Sequence, residues 1–80
     1  MKSKLKVGIF IFNEVEVLDF AGPFEVFSLA RKDDVMLCEI VTIGEKLEII
    51  TARNGLQVMP SCQFSEGRNF DIIIIPDPKV

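Results

Sequence analysis

The stretch Phe70-Asp71-Ile72-Ile73-Ile74-Ile75-Pro76 decides the fold class. An unbroken run of branched apolar residues marks a strand buried on both faces, as in the parallel sheets of α/β proteins. Working outward, Leu5–Phe12 (LKVGIFIF) predicts a first strand, rich in branched and aromatic side chains. Val17–Lys32 predicts a helix. Phe20, Phe24 and Phe27 fall at i, i+4 and i+7, with Val17 one turn earlier, and make one apolar face. Gly22-Pro23 interrupts that helix. Proline removes an amide donor and crowds the preceding turn, which predicts a bend or a restart. Asp33-Asp34 closes the helix and opens a second strand, Val35–Ile43, followed by a turn at Gly44-Glu45. Leu47–Thr51 and Leu56–Met59 flank Arg53-Asn54-Gly55, and Asn-Gly is a strong hairpin signal. Pro60–Gly67 reads as a polar connector with one helical turn near Cys62–Glu66, and Ile72–Ile75 is the last strand. The order strand, helix, strand, hairpin, strand specifies an α/β fold with a βαβ core, a parallel sheet and a small β-hairpin excursion.

Asp77-Pro78-Lys79-Val80 follows the last strand at once. Open parallel sheets bind ligands at the carboxyl ends of their strands. Residues 1–80 therefore read as the amino-terminal half of one truncated α/β domain. Eighty residues make a small domain, 49% of them hydrophobic, which is globular and not disordered. An apolar last strand with an open edge predicts self-association into a homo-oligomer, or a loosely folded monomer.

The formal net charge is −3, and no basic stripe interleaved with aromatics exists, so direct nucleic-acid binding by this segment is not expected. Lys2, Lys4 and Lys6 alternate and predict a solvated basic face. Apolar runs are far shorter than the ~20 residues of a membrane span. The amino end carries no signal-peptide pattern, so a cytoplasmic location is the default. Two cysteines and no histidine argue against a metal site, and no glycine-rich phosphate loop follows the first strand, so no cofactor is expected.

Asp19 is the foremost candidate for chemistry. It sits in the first helical turn beyond the first strand, where α/β folds present groups to ligands; a first-turn carboxylate also favours the helix dipole without any further role. Glu14 and Glu16 in the same loop read as solvated charges, and Glu25 as structural. Cys38, inside the second strand, reads as core filling. Cys62, in the polar connector, reads as exposed but not activated, since no neighbour lowers its pKa. A disulfide between them is not expected in a reducing compartment. Gly8 reads as a packing glycine.

Val7–Arg31, VGIFIFNEVEVLDFAGPFEVFSLAR, resembles the amino end of the ThiJ/PfpI superfamily, the class I glutamine-amidotransferase-like domains. Leu18-Asp19-Phe20-Ala21-Gly22-Pro23-Phe24-Glu25-Val26-Phe27 is similar to the branch of isonitrile hydratases and of amino-terminal domains in AraC-type regulators. Asn54-Gly55-Leu56 and Phe70 through Pro76 follow in the family's order. The resemblance implies a three-layer, flavodoxin-like fold, dimerisation and a cysteine on a sharp strand-to-helix elbow. It further implies that Asp19 is the acid approaching that thiol, acting as acid/base partner when isonitriles are hydrated to N-substituted formamides. Gly22, Pro76 and Asp77 fall on substrate-binding positions.

Two departures from the family pattern stand out. Neither Cys38 nor Cys62 occupies the elbow motif, which in the family lies on a later strand. The family's Pro-Gly-Gly is here Pro76-Asp77-Pro78. Asp77 adds a side chain, and Pro78 has no amide hydrogen for an oxyanion. The expectation is a chain without hydratase activity by itself. The alternatives are the front of a ligand-sensing domain in an AraC-type regulator, with a small-molecule ligand, or a small self-associating interaction module.

Overall fold

The computed structural model describes residues 4–78, so Lys2, Lys79 and Val80 lie outside the described residues. A parallel sheet of four strands forms the centre: β1 (Leu5–Phe10), β4 (Cys38–Gly44), β7 (Cys62–Gln63) and β8 (Ile72–Ile74), in the order β7-β4-β1-β8. β1 pairs in register with β4 from Leu5↔Cys38 to Phe10↔Ile43, and with β8 from Val7↔Ile72 to Ile9↔Ile74. The expected parallel α/β architecture is present.

Alternation along β1 points Val7 and Ile9 to one face, and Lys6, Gly8 and Phe10 to the other. The helix α1 (Val17–Ser28) covers the Ile9 face. Ile9, Ile11 and Val15 there are fully buried, Phe20 is buried among them, and Val17 and Phe24 pack against them, so the expected apolar face points inward at these three helix residues. Gly8 leaves room on the opposite face for Ile43 and Phe70; a Cβ at Gly8 would meet both.

Several boundaries differ from the sequence expectations. The helix ends at Ser28 and not at Lys32. Arg31–Lys32 (β2) and Val35–Met36 (β3) instead make a two-residue hairpin, because Asp33 and Asp34 adopt φ of 54° and 64°. Two left-handed residues in succession are what a tight hairpin turn requires, and aspartate tolerates that conformation. The helix runs through Pro23 without a restart. Proline cannot bond the carbonyl of Asp19, but Asp19 is exposed, so no buried acceptor is left unpaired.

The hairpin excursion is present as β5 (Ile50–Thr51) and β6 (Gln57–Val58), shorter than expected, with Gly55 at φ 95° in its turn. The connector is more ordered than its polarity suggests. Cys62–Gln63 forms β7 at one sheet edge, and a 3-10 turn, η1 (Phe64–Glu66), follows it. Cys62 is therefore buried, not exposed. Its thiol approaches the Thr42 carbonyl at 3.7 Å. β8 is the other edge, so it is not buried on both faces: Ile72, Ile73 and Ile75 are 37%, 48% and 66% exposed. Among the described residues, no helix is long and apolar enough to cross a membrane.

Candidate functional site

The chain leaves β1 toward β4 on one side and later returns from β7 to β8 on the other. The direction of winding therefore reverses between β1 and β8. In an open α/β sheet a crevice opens at that reversal, beyond the carboxyl ends of the two strands. Two segments reach it: the loop from Ile11 to Glu16 with the start of α1, and Ile75-Pro76-Asp77 after β8.

The first segment is tightly specified. The Ile11 amide donates to the Ile43 carbonyl at 2.8 Å, which extends the β1–β4 ladder by one bond. The chain then turns, with the Val15 amide donating to the Phe12 carbonyl at 3.1 Å and Glu14 at φ 72°. A left-handed glutamate is uncommon and costs backbone strain. The β5–β6 hairpin stitches this loop in place. The Glu14 amide donates to the Thr51 carbonyl at 2.8 Å, the Thr51 amide to Asn13 Oδ1 at 2.9 Å, and the Arg53 amide to the Val15 carbonyl at 2.9 Å. Val15 and Ala52 are buried beneath these bonds.

Glu16 is the residue before the helix, yet its side chain makes no capping bond. Its carboxylate instead accepts from Arg53 Nη1 at 3.3 Å. Asp19 follows in the first turn, its amide bonded to the Glu16 carbonyl at 2.9 Å. A carboxylate there interacts favourably with the partial positive charge of the helix start.

Glu16, Asp19, Arg53 and Asp77 together line a cavity of about 150 Å³. The structure thus brings two sequence-predicted residues, Asp19 and Asp77, to one place. Pro76 is buried just before Asp77. Gly22 does not line this cavity: it lies on α1 with nothing within 4 Å of where a Cβ would sit. Arg53 was legible only as a turn residue. The signal for its role was the Asn-Gly turn beside it, which folds the hairpin back so that its tip reaches α1.

The cavity offers carboxylates for proton transfer and one guanidinium, but no thiol. Cys38 is buried at the amino end of β4 and Cys62 in β7, and both are free thiols. Burial pushes the Cys62 thiol above its ordinary range; Glu66 adds to this and Arg68 opposes it. A thiol held protonated is a poor nucleophile. No cluster of three metal-ligating side chains occurs among the described residues. A larger cavity of about 260 Å³ lies toward the amino ends of the strands, between Lys6, Glu39, Arg68 and Phe70. It is away from the strand ends where this fold class gathers its chemistry.

Comparison with known proteins fits this fold. No protein-family model matches the chain. It is 32% identical over 72 residues to the isonitrile hydratase of Pseudomonas putida, covering 90% of this chain and 29% of that protein. The chain thus spans under a third of the length of the curated relative it matches. The structure of the thiJ/pfpI family protein from Bacillus anthracis superposes with a TM-score of 0.78 at 20% identity, over 98% of this chain and 39% of that one. An AraC family transcriptional regulator from Pseudomonas putida superposes with a TM-score of 0.68 at 12% identity, over 95% of this chain and 51% of that one. In sequence and in fold, the chain resembles the amino-terminal part of the ThiJ/PfpI superfamily.

Proposed function

We propose that residues 1–80 form the amino-terminal part of one ThiJ/PfpI-like domain of the isonitrile hydratase type, in which Asp19 transfers protons. The observation that carries this reading is the cavity at the winding reversal, shared by Asp19 after β1 and Asp77 after β8. Hydration of an isonitrile adds water across its terminal carbon and gives an N-substituted formamide. A thiolate attacks that carbon while an acid supplies the proton, which gives a thioimidate; water then adds to the same carbon, one of its protons returning to the carboxylate and the other reaching nitrogen, and the C–S bond breaks to release the formamide and return the thiolate. Neither cysteine of this chain lines the cavity, so the thiol comes from another segment, and these residues alone do not turn over substrate. Asp77 and Pro76 border the substrate, and Arg53 and Glu16 hold the hairpin against the helix start. A cytoplasmic setting, where both thiols stay reduced, belongs to the same reading.

A second reading takes the same cavity as the effector pocket of an AraC-type sensing domain. The fold shared with the regulator from Pseudomonas putida supports it. The 32% identity to a hydratase favours the first reading.

The test is a titration of the 80-residue chain with a small neutral alkyl isonitrile, followed by amide chemical shifts. The expected shifts gather at residues 14–19, 53 and 77. Shifts gathered around Lys6 and Arg68 instead would contradict the site.

A further inference from the structure

The cavity of about 260 Å³ near the amino ends of the strands lies on the sheet face that α1 does not cover. Lys6 and Glu39 are register partners on β1 and β4, and Val41 stands two residues further along β4, so all three side chains point to this face. Phe70 closes one side. Its Cε1 lies 3.1 Å from where a Cβ of Gly8 would sit, so the ring rests over β1 in the space that Gly8 leaves. That wall is fixed by its neighbour Asp71. The Lys6 amide donates to Asp71 Oδ2 at 2.8 Å, and the Asp71 amide donates to the Lys6 carbonyl at 2.8 Å. Arg68 and Asn69 complete the rim. A preformed hollow with apolar walls and a few polar groups is the usual form of a small-molecule site.

The charges on the rim are of both signs and do not neutralise one another. Lys6 and Glu39 stand on neighbouring strands, yet neither forms an ion pair among the described residues. Arg68 is held by Glu66 through Nε at 3.1 Å, and its two terminal nitrogens make no bond among the described residues. A guanidinium oriented by one carboxylate and open along its other edge fits a second carboxylate in two-point fashion. The Lys6 ammonium adds to that pull. The Glu39 carboxylate accepts from an ammonium, while Val41 and Phe70 offer apolar and aromatic contact. With Glu66 counted, two cations face two carboxylates, which suits a ligand of no net charge that carries both signs. The volume falls below the about 300 Å³ at which drug-sized pockets begin. A carboxylate, an ammonium and an apolar group in so small a molecule describe an α-amino acid.

We propose that this cavity binds a free α-amino acid with an apolar side chain: Arg68 and Lys6 hold its carboxylate, Glu39 its ammonium, and Phe70 with Val41 its side chain. This goes beyond the reading of Asp19 and does not depend on it, since the two sites lie at opposite ends of the strands. The test is a titration of the 80-residue chain with L-phenylalanine, followed by amide chemical shifts. The expected shifts gather at residues 6, 39, 41 and 68–70 and saturate with a dissociation constant of about 1 mM or below. N-acetyl-L-phenylalanine lacks the ammonium and L-phenylalaninamide lacks the carboxylate, so each is expected to bind at least about tenfold more weakly. Glu39→Gln is expected to weaken L-phenylalanine at least about tenfold and to leave the N-acetyl compound unchanged, whereas Arg68→Gln weakens both. Both side chains are exposed, so circular dichroism is expected to show an intact fold in each variant. No shifts at these residues at ten times that ligand concentration overturn the proposal. So does an amide or N-acetyl compound that binds as well as the free amino acid, or binding that neither substitution changes.

Discussion

Gly44 closes β4, and its replacement by alanine has a sign and size that the structure sets. A Cβ there would lie 2.5 Å from Pro60 Cγ, 3.0 Å from Pro60 Cβ and 2.9 Å from the Lys46 carbonyl oxygen. Ordinary contacts need about an ångström more. A flexible side chain could swing away, but these neighbours cannot. Pro60 is a buried ring, and Ser61 next to it is tied to β4. The Ser61 amide lies 3.1 Å from the Thr42 carbonyl and 3.0 Å from Thr42 Oγ1. Relief therefore requires moving β7 off the sheet edge or shifting the loop after β4. Overpacking of this kind costs about 1–3 kcal/mol. The lower entropy of the unfolded alanine chain returns about 0.4–1 kcal/mol. At the middle of these ranges the net loss is about 1.3 kcal/mol, which corresponds to a fall in Tm of roughly 5–10 °C for a domain this small. Thermal circular dichroism reads it, with Gly22→Ala in dilute solution as the comparison. Gly22 is helical and uncrowded, so alanine there is expected to stabilise by about 0.5–1 kcal/mol. An unchanged or raised Tm for Gly44→Ala would refute the packing described for β4 and β7.

Cys62 gives two further predictions. In a Cys38→Ala background, a thiol reagent is expected to modify Cys62 far more slowly in the native chain than in denaturant, since burial and a raised pKa both withhold the thiolate; equal rates would contradict its burial. Because folding raises this pKa, the associated stability is fully present below the ordinary thiol range and is lost as pH rises through the folded value. Denaturant unfolding above about pH 8.5 is expected to show a decline in stability that Cys62→Ala reduces, and identical pH dependence in both proteins would count against the assignment.

The parts of the fold that follow from local chemistry were legible in advance. The branched residues of β1, the phenylalanine face of α1 and the Asn54-Gly55 turn each state their structure through periodicity or backbone preference. The parts that depend on tertiary partners were not. β7 is two residues long and gains its place from pairing with Ile43 and Gly44. The Asp33-Asp34 turn looks like a helix end until Arg31 and Met36 pair across it. The isoleucine run marks an apolar strand with an open edge, and β8 is that edge, but its pairing with β1 is set by the winding of the chain and not by its own residues. At the site, Asp19 could be singled out from its position after β1. Its neighbours Arg53 and Asp77 come from segments far along the chain, and no spacing rule links them.

The role of Asp19 is tested most directly by one rate. Residues 1–76 are joined to the segment that follows the equivalent strand in the isonitrile hydratase of Pseudomonas putida. Formamide production from an alkyl isonitrile is then compared with and without Asp19→Asn. Asparagine keeps the shape and removes the proton-transfer group. If Asp19 is the acid, kcat falls by about 10²–10⁴-fold. Tm changes little, because a first-turn charge contributes only about 0.3–1 kcal/mol. An Asp19→Asn domain that keeps most of its rate, or that loses stability in place of rate, contradicts the assignment and leaves Asp19 as a helix-start charge alone.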